Sequence, residues 1–255
     1  MIELLIRGDD SGGSVSANRA VVECHRHGVL NNASVMAVGG DAALRDAVQR
    51  FAGLPALCIG LHLTLNSEWT VPRFRPCLPP EQVRSLLDGD GTFLPSPSHI
   101  AERGVDLDEM MKETRAQLSC LRAAGLSPTY LDEHMGVGWL PGLADRLARM
   151  CEVEGLVWAR DHAAALPHAE PSAKPHANPG RAEGWLRRLE AALPGRYVLV
   201  THPLVDDSEA RAIHRPADPP GAIAADRDMD RQALLNPNFN AFCRSGRVRL
   251  QRYDD

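Results

Sequence analysis

The sequence predicts an α/β protein, a single domain whose parallel strands, about seven in number, form a (β/α) barrel. Two observations predict this class. Short apolar runs alternate along all 255 residues with stretches in which apolar residues recur every three or four positions. The length also suits one large α/β domain, and the sequence contains no internal repeat.

An open, doubly wound sheet is the alternative. That fold favours a glycine-rich phosphate loop after the first strand. Here the first strand is followed by a turn that lacks the Gly-x-Gly-x-x-Gly spacing and carries two acids, Asp9 and Asp10. Two carboxylates at that point would repel a pyrophosphate, so the barrel is favoured.

The strands are recognised as short apolar segments bounded by turn residues. They are predicted, in chain order, at 2–7, 33–38, 56–60, 129–132, 156–159, 197–200 and 248–250.

The helices are recognised by their periodicity and by their end signals. The first covers 17–24 and closes at Gly28. Asp41 is predicted to cap the second, and Asp106, with Glu109 three residues later, opens one that runs to about residue 124. Further helices are predicted at 143–151, 185–193 and 230–244.

Two proline-rich stretches interrupt this alternation, at 66–100 and 162–182. We interpret both as insertions into the single domain 1–255, and 203–228 as irregular.

Composition excludes several classes of protein. The chain is 44% hydrophobic and 24% charged, which excludes wholesale disorder. A net charge of −5 gives no attraction to nucleic acid or to an anionic membrane surface. No apolar run approaches the roughly 18 residues of a membrane span. The first residues lack the pattern of a signal peptide, so a cytoplasmic location is predicted, and the six dispersed cysteines are interpreted as free thiols.

Polar residues collect at the carboxyl ends of the predicted strands. Each has an ordinary explanation by itself, as a turn residue or a core histidine. Together they point to one site, because the carboxyl ends of barrel strands share the rim that carries active sites. These residues are Asp9, Asp10, His62, Asp132, His134, Arg160 and His202.

A carboxylate with two imidazoles can bind a divalent cation and leave positions open for water and substrate. A second carboxylate that does not bind the cation can then act as general base. Asp9 and Asp10 suit this division because neighbouring side chains of an extended segment point opposite ways. The predicted cofactor is one divalent ion, with Zn²⁺ or Mg²⁺ favoured and Co²⁺, Mn²⁺, Ni²⁺ or Fe²⁺ also compatible.

Several motifs, in order along nearly the whole chain, resemble the YdjC-like (ChbG/HpnK) carbohydrate deacetylases, relatives of the polysaccharide deacetylases. They are Arg7-Gly8-Asp9-Asp10-Ser11-Gly12, Gly60-Leu61-His62-Leu63-Thr64-Leu65, Leu131-Asp132-Glu133-His134-Met135-Gly136 and His202-Pro203. The resemblance implies a distorted (β/α) barrel, a cation held by Asp10, His62 and His134, and Asp9 as catalytic base. It also implies that His202 is a second catalytic group, which assists the leaving amine or stabilises the oxyanion. A homodimer is a further expectation from the family.

Substrate binding is predicted for Arg160, Trp69 and Asp132. Trp69 and Trp139 are candidate platforms on which a sugar ring could stack, although a structural tryptophan is an equally good interpretation of each. Many family members carry further histidines shortly after the position of His134, where this chain has Gly136 and Gly138. That departure bears on the substrate more than on the cation ligands.

The expected function is hydrolysis of an N-acetyl group on an amino sugar or a small oligosaccharide, with a small carbohydrate as partner and neither nucleic acid nor membrane. Two alternatives stay open. One is a metal-dependent hydrolase of a non-sugar amide or an ester. The other is a sugar-binding barrel without activity.

Overall fold

A computed structural model describes residues 1–104, 106–167 and 180–255. Seven strands lie side by side in the order β5-β4-β3-β2-β1-β7-β6, and an eighth, β8, pairs with the first half of β1. Every pair is parallel, and the sheet curls into a half-barrel surrounded by helices, which confirms the predicted class. The strands are β1 Ile2–Ser11, β2 Asn32–Val35, β3 Cys58–Leu63, β4 Tyr130–Glu133, β5 Val157–Trp158, β6 Ala164–Ala165, β7 Gly195–Thr201 and β8 Val248–Gln251.

The described residues form ten α-helices: α1 Val15–His27, α2 Asp41–Phe51, α3 Pro97–Arg103, α4 Leu107–Ala123, α5 Leu143–Glu154, α6 Ala159–His162, α7 Arg181–Ala191, α8 Ser208–Ala212, α9 Ala222–Leu234 and α10 Pro237–Cys243. Asp106 caps α4 as predicted, accepting hydrogen bonds from the backbone N–H groups of Asp108 and Glu109. None of these helices combines the length and the apolar character that a membrane crossing requires.

Three predictions about helices were wrong. Asp41 is the first residue of α2 and makes no capping bond, because Gly40 occupies the cap position. The helix predicted over 230–244 is two helices, since Pro237 starts a new one that Asn236 caps. The stretch 203–228, predicted to be irregular, contains α8 and the first half of α9.

The inner face of the curled sheet follows from strand parity, because alternate residues of a strand point to the same side. Leu5, Cys58 and Tyr130 on this face form a small buried cluster with Tyr253, whose ring stacks on that of Tyr130 at 4.1 Å. Gly60 lies between Cys58 and His62 on the same face, and a Cβ there would come within 2.3 Å of the Tyr130 ring. The bottom of the inner face is therefore closely packed, and the polar residues lie above it.

The connection between β3 and α4 contains the first predicted insertion. Within the described residues it has no paired strand, only short 3-10 turns, α3 and isolated bridges. Its apolar side chains are nevertheless buried in the main core, among them Phe74, Val83 and Phe93. An antiparallel bridge joins Val71 to His214, so this connection is tied to the one that follows β7. Most of the second predicted insertion, 162–182, lies outside the described residues.

Candidate active site

A β-bulge at the end of β1 places Asp9 and Asp10. The register with β2 shifts between Gly8 and Ser11, and Asp10 has a φ of +66°, in the left-handed region that few residues other than glycine adopt. The expectation that an extended segment would separate the two side chains was therefore wrong. Because of the bulge, both carboxylates reach the same inner-face histidine, His62. Backbone outliers of this kind concentrate at functional sites.

Three donor atoms converge beside this bulge. Asp10 Oδ1 lies 3.2 Å from His62 Nε2 and 3.1 Å from His134 Nδ1, and the two nitrogens are 3.3 Å apart. All three side chains are buried. Ligand bonds of about 2.0–2.1 Å in a tetrahedral arrangement require donor separations of about 3.3 Å, so the donor set fits a divalent cation in both chemistry and spacing.

Each histidine carries a carboxylate on its other ring nitrogen. Asp132 Oδ2 lies 3.0 Å from His62 Nδ1, and Glu68 Oε2 lies 2.9 Å from His134 Nε2. Burial alone would lower both histidine pKa values, but nearby carboxylates outweigh it. Asp132 and Asp9 hold the pKa of His62 well above its usual range, and Glu68 and Asp10 raise the pKa of His134 to about 9. A cation bound by these two rings would have to displace their protons.

Asp132 lies behind His62 and does not line the cleft, being only 3% exposed. Its contact in the site is with His62, and a direct role in substrate binding stays a prediction. Burial raises the pKa of the Asp132 carboxyl, but the charges of Arg7 and His62 outweigh burial and lower it overall.

Arg7 is the principal residue that the sequence reasoning missed. Its Nε and Nη2 atoms donate to the two carboxylate oxygens of Asp9 at 2.7 and 2.9 Å, and Nη2 also lies 3.0 Å from Asp132 Oδ2. Asp9, His62 and Asp132 form a second group close enough for a cation, but there the guanidinium supplies the positive charge. The sequence did contain an indication of this pair, because residues two apart in a strand, as Arg7 and Asp9 are in β1, lie on the same face.

A cleft of about 360 Å³ opens above these groups. His202 lines it just beyond β7, with its backbone N–H donating to Asp230 Oδ2 at 2.7 Å. Burial lowers the pKa of His202 despite the nearby Asp10. The lining residues are Arg7, Asp9, His62, Glu68, Trp69, Glu133, His134, Met135, Val200, His202, Arg215 and Arg227.

Arg160 is absent from that lining. It lies on α6, where its Nε and Nη2 donate to the carboxylate of Glu133 at 3.2 and 2.5 Å, so its contact with the cleft passes through Glu133. This pair also explains Gly138, because a Cβ at that position would come within 2.1 Å of Glu133 Oε1. A side chain at position 138 would therefore require the Glu133 carboxylate and the Arg160 guanidinium to move.

Trp69 lines the cleft, but its side chain does not offer an open stacking surface. It is 7% exposed, and the guanidinium carbons of Arg227 and Arg215 lie 5.1 and 5.6 Å from its ring centre. Arg227 also donates to Asp10 Oδ2 at 2.6 Å. Trp139, the other candidate platform, is 53% exposed and lies outside the lining. Both arginines belong to the 203–228 stretch, which was predicted to be irregular and was not assigned to the site.

Comparison with known proteins places this geometry in a family. Curated relatives described as carbohydrate deacetylase come from Brevibacillus brevis (31% identical over 151 residues, 59% of this chain and 56% of the relative), Enterococcus faecalis (33% over 152 residues, 58% and 55%) and Homo sapiens (29% over 164 residues, 62% and 48%). The chain thus matches about half the length of these relatives.

A solved structure from Enterococcus faecalis V583, provisionally described as a cellobiose-phosphate cleavage protein, superposes with a TM-score of 0.77. The match covers 99% of this chain and 97% of that one at 22% identity, which establishes a shared fold. A family profile described as "YdjC-like protein" matches residues 3–245. Since that profile covers nearly the whole chain, the protein belongs to the YdjC-like family.

Proposed function

We propose that this protein is a metal-dependent carbohydrate deacetylase that hydrolyses the N-acetyl group of an amino sugar or a small oligosaccharide. The observation that carries the proposal is the convergence of Asp10, His62 and His134 donor atoms within 3.1–3.3 Å of one another, beside Asp9 on the cleft wall. The curated relatives described as carbohydrate deacetylases support it.

In this proposal Asp10, His62 and His134 hold one divalent cation, with Zn²⁺ or Mg²⁺ favoured and Co²⁺, Mn²⁺, Ni²⁺ or Fe²⁺ also suited to the donor set. A bound cation would polarise the acetyl carbonyl and lower the pKa of an attacking water. Asp9 is the general base that takes the proton of that water. Arg7 holds both of its oxygens, so the carboxylate keeps one orientation towards the cleft.

His202 is the second catalytic group. Burial favours its uncharged form, and a neutral imidazole N–H can donate to the carbonyl oxygen as negative charge develops there. The same ring can assist the departing amine. Glu133, held by Arg160, presents a carboxylate to the cleft that can accept hydrogen bonds from sugar hydroxyls.

The test is acetate release from N-acetylglucosamine and its oligomers, measured on chelator-treated protein supplemented with Zn²⁺, Mg²⁺ or Co²⁺. Asp9→Asn keeps the shape of the side chain but cannot accept the proton, so we expect kcat to fall by about 10²- to 10⁴-fold. Asp41→Asn, the same change at a side chain that is 91% exposed on α2, is the matched control. Full activity of Asp9→Asn would overturn the assignment of the base.

The alternative of a metal-dependent hydrolase acting on a non-sugar amide or an ester uses the same residues. An N-acetyl amino acid and an acetyl ester in the same substrate panel separate it from the sugar deacetylase. Stoichiometric carbohydrate binding without acetate release under any of the metal conditions would instead support an inactive sugar-binding barrel. The cytoplasmic location and the homodimer stay predictions.

A further inference from the structure

Glu68 is a cleft residue that the proposed chemistry leaves without a role. It belongs to the connection between β3 and α4, and its side chain is 11% exposed. Its Oε2 atom contacts Nε2 of His134 at 2.9 Å, which is the ring nitrogen that does not face Asp10 and His62.

We propose that Glu68 is a positioning residue for the cation, which fixes His134 with Nδ1 as the ligand atom. The inference rests on the proposed function, because it assumes that Asp10, His62 and His134 bind a metal. A neutral imidazole has one N–H and one lone pair. If Nε2–H donates to Glu68, the lone pair is on Nδ1, which is the nitrogen 3.1 Å from Asp10 Oδ1.

The surroundings of His134 make this contact hard to replace. The side chain is 5% exposed, so bulk water has little access to Nε2 if the carboxylate is removed. The ring of Phe74 packs edge-on against the imidazole, with centroids 6.4 Å apart. The orientation of His134 is therefore set by Asp10, Glu68 and Phe74 from different sides.

The backbone on which Glu68 lies is itself held in place. The N–H of Ser67 donates to Leu94 O at 2.8 Å, and the hydroxyl of Ser67 accepts from the N–H of Phe74 at 2.9 Å. Arg73 Nη1 donates to Ser67 O at 3.1 Å. Because these hydrogen bonds hold the backbone in place, the Glu68 carboxylate is already positioned to orient the His134 ring.

His62 shows the same arrangement with a different origin. Its carboxylate, Asp132, comes from the neighbouring strand β4, whereas the carboxylate of His134 comes from a connection outside the sheet. Of the two carboxylates that contact the imidazoles, one therefore belongs to the first predicted insertion, 66–100. This assigns the insertion a part in the cation site beyond shaping the cleft.

The experiment is titration of Zn²⁺ into chelator-treated wild-type protein, Glu68→Ala and Glu68→Gln by calorimetry. Loss of a carboxylate that orients a ligating histidine costs about 10- to 100-fold in metal affinity. We expect a loss near the upper end of that range for Glu68→Ala. Glu68→Gln, whose amide oxygen still accepts from Nε2–H, should lose less. Glu81→Ala, at an exposed glutamate of the same connection, is the matched control and should bind as the wild type does.

Zinc affinity of Glu68→Ala equal to that of Glu81→Ala would overturn the inference and leave the proposed function intact. Wild-type protein that takes up none of Zn²⁺, Mg²⁺, Co²⁺, Mn²⁺, Ni²⁺ or Fe²⁺ in the same titration would overturn both. If Glu68→Ala fails to fold by circular dichroism, the near-isosteric Glu68→Gln decides alone. Zinc affinity of the glutamine variant below that of Glu81→Ala supports positioning. Zinc affinity equal to that of Glu81→Ala, with loss of acetate release alone, would overturn the inference and mark Glu68 as a substrate contact.

Discussion

Replacing Arg7 by methionine tests the charge balance beneath the cleft. The guanidinium is buried and pairs with both Asp9 and Asp132, and it adds a longer contact of 3.3 Å to the hydroxyl of Tyr253. Methionine keeps a similar apolar stem, but it leaves the buried carboxylates of Asp9 and Asp132 without the guanidinium that both contact. Burial lowers the pKa of Arg7, but the charges of Asp132 and Asp9 outweigh burial and raise it well above its usual range. Arg7 therefore stays charged in the wild-type protein.

Removing one partner from a buried ion pair costs about 3–5 kcal/mol, mostly because the remaining charge is left without compensation. We therefore expect Arg7→Met to lose about that much free energy of unfolding at pH 7, measured by urea denaturation of chelator-treated protein. Arg45→Met is the matched control. Its pair with Asp41 is 3.7 Å long and largely exposed, so its loss should be below about 1 kcal/mol.

The double variant Arg7→Met, Asp9→Asn sharpens the test. Neutralising Asp9 removes one of the two uncompensated charges, so part of the lost stability should return. A loss for Arg7→Met no larger than that of the Arg45 control would refute the reasoning. So would a double variant less stable than the single one, because it would show that packing, and not charge, determines the effect.

Two further predictions concern the packed interior. Gly60→Ala places a Cβ within 2.3 Å of the Tyr130 ring and should cost about 1–3 kcal/mol in urea unfolding, whereas Gly53→Ala, where a Cβ meets open space, should not. Glu113 is fully buried, and burial raises its pKa above 4.5, so the folded state binds its proton more tightly than the unfolded state does. The stabilisation from this proton is complete below pH 4.5 and is lost as the pH rises through the higher pKa of the folded state. The difference in unfolding free energy between wild type and Glu113→Gln should therefore change with pH above 4.5. A difference that stays constant with pH would contradict this.

The sequence predicted the parallel sheet because alternating periodicities are local properties of the chain. It also predicted which strand ends carry the polar groups, since parallel strands bring their carboxyl ends to one rim. It did not reveal Glu68 or Arg227. Glu68 lies in a long connection without a regular pattern, and Arg227 lies on α9 within a stretch that was predicted to be irregular. The contacts of both depend on how these segments return to the sheet. The opposed orientation expected for neighbouring aspartates failed because a bulge, invisible in the apolar pattern, reshapes the end of β1.

Strand β1 has partners from both ends of the described chain. It pairs with β2 through Arg7, Gly8 and Ser11. Its first residue, Ile2, is in register with Gly195 of β7 and Val248 of β8. Contacts of such large sequence separation close late during folding, because the entropy of loop closure must be met first. A nascent chain that ends before β7 therefore exposes one edge of β1. The contact between Asp10 at the bulge and Arg227 on α9 likewise requires most of the chain to have been synthesised. Activity should accordingly appear with the last stages of folding, and refolding should be slow for a protein of this size.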